Sequence, residues 1–331
     1  MAITILAFIP LPPAAQAPLR DAGYELHLLR DYGNRDALIA AGRDARIVVT
    51  NGEGGLGGDE IDRLPELEHI CAIGVGFENI DLDRAAQRGI SVTNGRGANA
   101  EAVADHTLGL MLAASMAIPQ SDAMVRAGHW AHFASGAGHH PFLDRRRGIT
   151  GKGLGILGLG LIGQKIAERG ALGFAMPVAY HSRRRNEASP YRYMASVSEL
   201  AEWSDFLVVA TPGGAGTRHL VDRNVLEALG HEGILVNIGR GSVVDTAALI
   251  AALQAGTIRG AALDVVEGEP SIPDELLPLD NLVITPHMAG RGPEPLVIMA
   301  DLLARNVAAF LNGDPLLTPV LDRDGTRAVS S

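Results

Sequence analysis

The stretch Leu154-Gly155-Ile156-Leu157-Gly158-Leu159-Gly160-Leu161-Ile162-Gly163 joins an apolar, strand-like run to a glycine turn that opens a helical pattern through Ile162, Ile166 and Leu172. Its glycines match G-x-G-x-x-G, a weak signal alone in a chain with 40 glycines. The strand before it and the helix after it supply the context in which the pattern binds a dinucleotide. Gly158 permits the tight turn, Gly160 lets the backbone approach a pyrophosphate, and Gly163 lets helix and strand pack closely. The helix start at Leu161 and Ile162 offers amides and a partial positive charge to phosphates.

The next strand selects the nicotinamide nucleotide. NAD sites place an Asp or Glu about 20 residues on, to hold the ribose 2′-hydroxyl. Here Tyr180-His181-Ser182-Arg183-Arg184-Arg185 has no acid, and the nearest is Glu187 in the following loop. A hydroxyl with guanidinium groups binds a 2′-phosphate through charge-assisted hydrogen bonds. Ser182, Arg183 and Arg184 therefore point to NADP(H) as the preferred cofactor, with NAD(H) possible. The bland alternative is a solvated arginine run.

Outward from this turn, β-branched runs alternate with helical segments in both directions. Before it lie candidate strands at Ile3–Ile9, Glu25–Leu29, Arg46–Thr50, Ile70–Gly74 and Ile90–Thr93. After it come Val178–His181, Phe206–Ala210, Ile234–Ile238, Ala261–Val265 and Leu282–Thr285. Strands alternating with helices imply right-handed crossovers and mainly parallel sheets. Between the two series runs an apolar helix over Ala102–Ala117, with Asn99 as cap, Glu101 in its first turn and Pro119 as its expected end. Residues 128–147 read as irregular, a length that is usually functional or an inter-subunit arm. A last helix is expected at about Leu296–Leu311, after Pro293 and Pro295.

A chain of 331 residues exceeds what one core supports, so two domains are expected. The net charge of −10 disfavours nucleic acid as a partner, and no run is long and apolar enough for a membrane span. The N-terminal run lacks the basic start of a signal peptide. Cys71 is the only cysteine, which rules out an internal disulfide and fits a cytoplasmic location. His129, His132, His139 and His140 have no cysteine or clustered carboxylate beside them, so no metal site is expected.

Three further segments end apolar strands in polar residues, where open α/β sheets bind ligands. Ile234–Gly239 leads into Arg240-Gly241. Ala261–Val265 leads through Asp264 to Glu267-Gly268-Glu269-Pro270. Leu282–Thr285 leads into Pro286-His287. An Arg, a Glu and a His at such ends form an acid/base and anion site, although each alone could be structural.

The motifs Gly74-Val75-Gly76-Phe77-Glu78-Asn79-Ile80-Asp81, Val92-Thr93-Asn94 and Ala100-Glu101-Ala102-Val103-Ala104-Asp105 precede the glycine turn. Asn237-Ile238-Gly239-Arg240-Gly241-Ser242-Val243-Val244-Asp245, Asp264 to Pro270, and Thr285-Pro286-His287 follow it. Over this whole series, and nearly its whole length, the chain resembles the D-isomer-specific 2-hydroxyacid dehydrogenase family, in particular its glyoxylate/hydroxypyruvate reductases. The resemblance implies an α/β fold of two Rossmann-like or flavodoxin-like parallel-sheet domains with a cleft between them. It implies a discontinuous substrate domain, 1–98 plus 288–331, and a dinucleotide domain, 99–287, with a dimerisation helix and arm at 100–147. Arg240 would clamp the substrate carboxylate, His287 would give and take the proton, and Glu269 would orient the imidazole. Amides at Val75 and Gly76 would provide a second hold on the carboxylate, while Thr211, Pro212 and Asp264 would lie near the cofactor. A homodimer acting on a small 2-oxo or 2-hydroxy acid is implied, and Trp130 or Phe133 is the candidate to reach the neighbouring subunit's site.

Met288-Ala289-Gly290 departs from the family, which often has Ile or Val with Gly-Ser after the histidine, and Glu78 stands where Asp is common. The alternatives are another dehydrogenase of the family, of phosphoglycerate, D-lactate or phosphite type, or a non-catalytic, nucleotide-sensing protein like its corepressors.

Overall fold

In the computed structural model, which describes residues 3–135 and 146–327, successive strand residues face opposite sides of two sheets. The chain divides into two compact units, Met1–Asn99 with Arg291–Ser331, and Ala100–Gly290.

In the first unit the strands β1 (Thr4–Ala7), β2 (Glu25–Leu28), β3 (Ile47–Thr50), β4 (His69–Ala72) and β5 (Ser91–Thr93) pair in parallel. The last strand of the chain, β13 (Pro319–Leu321), adds antiparallel to β5, giving the order β13-β5-β4-β3-β1-β2. Leu6, Val48, Ile70 and Val92 turn to one face, under helices that contribute Leu38, Ile39, Ile61 and Ala85. Ile5, Val49 and Cys71 turn to the other, beneath Ala15 and Leu19 of Pro13–Asp21 and Leu303, Val307 and Phe310 of Pro293–Asn312. A sheet covered on both faces explains why these strands read as continuous apolar runs. Burial pushes the Cys71 thiol up to about 12, so it stays protonated and inert.

In the second unit β6 (Leu154–Leu157), β7 (Val178–His181), β8 (Arg192–Tyr193), β9 (Phe206–Val209), β10 (Ile234–Asn237), β11 (Gly260–Leu263) and β12 (Leu282–Ile284) form one parallel sheet. Its order is β12-β11-β10-β9-β6-β7-β8. The chain runs outward from β6 on one side and from β9 on the other, so the carboxyl ends of these neighbours flank a topological switch point. The helix Ala100–Met116 lies over one face, with Val103, Ala104, Leu108 and Met111 against Ile156, Val208 and Val236. Helices carrying Leu200, Val225, Leu226, Leu249 and Leu253 cover the other.

Several local readings change. Pro119 does not end a helix but sits in the first turn of a second one, Ile118–Arg126, where its missing N–H costs no hydrogen bond. The break lies at Ala117, in the left-handed region at φ 52°, and bends the two helices by 63°. Part of the stretch read as irregular, Trp130–Ala134, is helical. Pro293 and Pro295 likewise lie inside the last helix, at its start, rather than before it. Arg192–Tyr193 and Pro319–Leu321 are additional strands. Among the described residues, no single helix is long and apolar enough to cross a membrane.

Candidate active site

Gly158 ends β6 at φ 102°, a conformation that favours glycine, and its N–H donates to His181 O at 2.9 Å. A Cβ there would lie 2.9 Å from the carbonyl oxygen of Ala210 at the end of β9. A Cβ on Gly163 would overlap the Gly158 carbonyl, so the helix can approach the turn this closely only without side chains. Gly160 is the N-cap of Leu161–Phe174 and offers no side-chain acceptor to the first turn. The N-terminal amides there suit an anion, and the bare turn leaves the room a pyrophosphate needs. The fit of the dinucleotide to the switch point rests on these two features. Thr211 and Pro212 follow β9 on its other side, half-buried and exposed respectively.

At the end of β7, His181 donates from Nδ1 to Met194 O at 2.9 Å and stacks on Tyr193. Ser182 is half-buried, and its hydroxyl donates to Arg184 O at 2.7 Å, curling the backbone of the next two residues. Arg183 and Arg184 are exposed. Glu187, the first acid in sequence after this strand end, faces Arg185 at 3.3 Å, both side chains being exposed.

The ends of β10, β11 and β12 are stitched together by main-chain groups. Asn237 carries Arg240 O on its Nδ2 at 3.1 Å, and its own carbonyl accepts Asp264 N–H at 2.9 Å. Asp264 O in turn accepts His287 N–H at 2.8 Å. Arg240 is half-buried, with Nη1 donating to Gly239 O at 2.8 Å. His287 stands at φ 47°, an uncommon conformation for a side-chain-bearing residue and one often met where function demands it. Its Nδ1 lies 2.7 Å from Glu269 Oε1, while Glu269 Oε2 accepts Val266 N–H at 3.2 Å. A carboxylate on one ring nitrogen fixes the plane of the imidazole and leaves Nε2 as the nitrogen for proton exchange with a bound molecule.

Asp264 is 2% exposed. One oxygen accepts Thr285 Oγ1–H at 2.6 Å and Met288 N–H at 2.9 Å, and the other accepts Ala289 N–H at 2.9 Å. The structure thus places Asp264 beneath the His287 turn as its anchor. His106, on Ala100–Met116, brings Nε2 to 3.0 Å from Thr285 Oγ1 and 3.5 Å from Asp264. Thr285 donates to Asp264, so it accepts from His106. Sequence reasoning missed His106; the polar pair Asp105-His106 inside an apolar helix was the available signal.

In the first unit, Val75 and Gly76 are half-buried just beyond β4, and Asn94 Nδ2 donates to Val75 O at 2.7 Å. Trp130 and Phe133 lie on the helix Trp130–Ala134, Trp130 exposed and Phe133 half-buried. His139 and His140, considered as ligands with His129 and His132, fall outside the described residues. Among the described residues there is no group of three His, Cys, Asp or Glu suited to a metal ion.

Comparison with known proteins gives three kinds of likeness. Residues 108–289 match the sequence profile described as D-isomer specific 2-hydroxyacid dehydrogenase, NAD binding domain. The chain is 41% identical to hydroxyphenylpyruvate reductase of Plectranthus scutellarioides, over 87% of this chain and 89% of the relative. It is 43% identical to a glyoxylate/hydroxypyruvate reductase of Arabidopsis thaliana, over 83% and 85%. Among solved structures, the NADPH-dependent glyoxylate/hydroxypyruvate reductase of Sinorhizobium meliloti, in complex with NADP and malonate, superposes with a TM-score of 0.87. The two share 35% identity over 100% of both chains.

Proposed function

Because the chain belongs to the D-isomer specific 2-hydroxyacid dehydrogenase family, we propose that it is an NADP-dependent reductase of small 2-oxo acids, of the glyoxylate/hydroxypyruvate type, yielding the D-2-hydroxy acid. The observation that carries this is the His287–Glu269 hydrogen bond at 2.7 Å, set at a strand end that is stitched to that of Arg240. A 2-oxo acid needs a cation for its carboxylate and a proton for the oxygen that becomes a hydroxyl.

A nicotinamide held at the glycine turn would supply the hydride. Arg240 takes the carboxylate with its planar fork and polarises the 2-oxo oxygen. His287 passes the Nε2 proton to that oxygen as charge develops on it, and accepts it back in oxidation. Glu269 keeps the ring from rotating away and offsets its positive charge. Val75 and Gly76 are proposed to offer a second hold on the carboxylate, through main-chain N–H groups. Gly158, Gly160, Leu161, Ile162 and Gly163 would hold the pyrophosphate, and Thr211 and Pro212 would lie near the cofactor.

NADP is favoured over NAD by Ser182, Arg183 and Arg184 at the end of β7. The Sinorhizobium meliloti relative, which binds NADP, supports the same choice. The apolar residues Ile118, Val125 and Trp130 are exposed after the long helix and support a homodimer built on that region. A cytoplasmic location, where the buried Cys71 stays reduced, completes the proposal.

The test is NADPH consumption with glyoxylate, hydroxypyruvate, pyruvate and bulkier 2-oxo acids, for the native protein and His287→Ala. Loss of His287 is expected to slow reduction about 10²–10⁴-fold. A near-normal rate would remove it from the proton-donor role. Turnover at background with every acid would replace the enzyme by a binding protein.

A further inference from the structure

Glu269 meets His287 at the end of a tight turn. Its N–H donates to Val266 O at 3.2 Å, and the corner between them is Glu267 with Gly268, the latter at φ 86°. Whatever tilts this turn moves the Glu269 carboxylate, and with it the imidazole.

Glu267 has no place in the chemistry described above, yet both of its carboxylate oxygens are engaged. Oε1 takes Arg218 Nη1 at 2.8 Å, and Oε2 takes His219 Nε2 at 2.9 Å. The Glu267 and His219 side chains are only 25% and 34% exposed, so their contact is partly shielded from water, whereas Arg218 caps it from the exposed side. Arg218 and His219 belong to the loop that leaves β9. That loop is pinned to the segment after Arg240 by His219 N–H to Ser242 O at 2.8 Å and Val221 N–H to Val243 O at 3.0 Å. His219 is held at φ 50°, a strained position for a histidine. Earlier in the same loop, Gly213 is close enough to Arg240 that a Cβ on it would lie 3.1 Å from Arg240 Cγ.

We propose that Glu267, gripped by Arg218 and His219, is a positioning residue. It ties the turn that presents Glu269 to the loop that flanks Arg240, and so sets the proton donor relative to the carboxylate clamp. The inference rests on the proposed roles of Arg240, Glu269 and His287. Glutamine at 267 removes the charge that holds Arg218, and its amide can meet His219 only if that ring moves its proton from Nε2 to Nδ1.

The experiment measures kcat and KM with NADPH and glyoxylate, hydroxypyruvate or pyruvate for Glu267→Gln, Glu269→Gln and the double variant, with thermal melts of each. Glu267→Gln is expected to lower kcat about 10-fold while KM for NADPH changes less than about 2-fold. The double variant should be no slower than Glu269→Gln alone, because both changes act through one carboxylate. Arg218→Ala and His219→Ala provide a second route should Glu267→Gln fold poorly. Each should lower kcat in the native background and do nothing further in Glu269→Gln. Losses that multiply in the double variants, or an unchanged kcat in Glu267→Gln or in both Arg218→Ala and His219→Ala, overturn the proposal. A normal rate in Glu269→Gln, or no reduction of any of the three acids by the native protein, would instead overturn the reading of the site on which it rests.

Discussion

The main-chain N–H of His287 donates to the carbonyl of Asp264 at 2.8 Å, and the Asp264 carboxylate then reaches past it to the N–H groups of Met288 and Ala289. The strained His287 backbone is thus gripped on both sides by one buried residue. Asp264→Asn would turn an amide donor toward one of these N–H donors. Each buried group left unsatisfied costs about 1–3 kcal/mol. The variant is expected to lose about that much unfolding free energy in urea titration and about 10-fold or more in kcat. Native stability with native turnover would show that the turn does not depend on Asp264.

Arg240→Lys tests the shape of the cation apart from its charge. A lysine keeps the charge but replaces a planar fork by a single point, so two parallel hydrogen bonds cannot form. The expected result is a fall of about 10²-fold or more in kcat/KM for the 2-oxo acid, with KM for NADPH little changed. Unchanged steady-state kinetics would remove Arg240 from the substrate site.

The preference between nucleotides should follow the guanidinium groups after β7. Arg183→Ala with Arg184→Ala is expected to raise KM for NADPH about 10-fold or more and to leave KM for NADH within about 2-fold, because only NADPH carries the 2′-phosphate. The ratio of the two kcat/KM values checks this. A ratio equal to that of the native protein would place the phosphate elsewhere.

Stability toward acid should carry the signature of His69. This ring is fully buried in β4, faces the hydroxyls of Ser91 at 2.8 Å and Thr93 at 3.2 Å, and stacks on Phe310 at 4.6 Å between centroids. Burial first, and the Arg323 guanidinium second, push it down from 6.5 to about 3. Between those values the unfolded chain binds a proton that the folded chain refuses. Stability from this residue is therefore complete above pH 6.5 and is lost as pH falls toward about 3. His69→Gln removes the titration, so its stability should fall less between about pH 7.5 and pH 5 than that of the native protein, by about 2 kcal/mol. Urea unfolding at the two pH values decides it; equal losses in both proteins would refute the assignment.

Much of the architecture is legible because it is local. The glycine turn after Leu157 is bracketed by a strand period and a helix period, and turn chemistry does not depend on distant residues. Arg240, Glu269 and His287 could be picked out because each follows an apolar run, and parallel pairing of β10, β11 and β12 sets those ends side by side. What escapes the sequence is long-range or ambiguous. His106 finds Thr285 across 179 residues, and His219 finds Glu267 across 48, with no pattern in either segment to announce the partner. Pro119 fits a helix end as well as a helix start, and nothing about alanine marks Ala117 for the left-handed conformation that decides between them. The strand at Pro319–Leu321 is too short to show a period at all.

The antiparallel pairing of Pro319–Leu321 with Ser91–Thr93 also bears on how the protein is made. One face of the first sheet is covered by Leu303, Val307 and Phe310, and its edge is closed by residue 321, yet its parallel strands emerge from the ribosome first. The unit begun first is thus finished last. Through the synthesis of the intervening residues 100–290, Ile5, Val49 and Cys71 have only the cover of Ala15 and Leu19 and lack that of the last helix. Residues 100–290, uninterrupted in sequence, can collapse meanwhile. Nascent chains stalled before residue 291 are then the ones that chaperones should hold longest, and the translation rate across that interval becomes a determinant of yield.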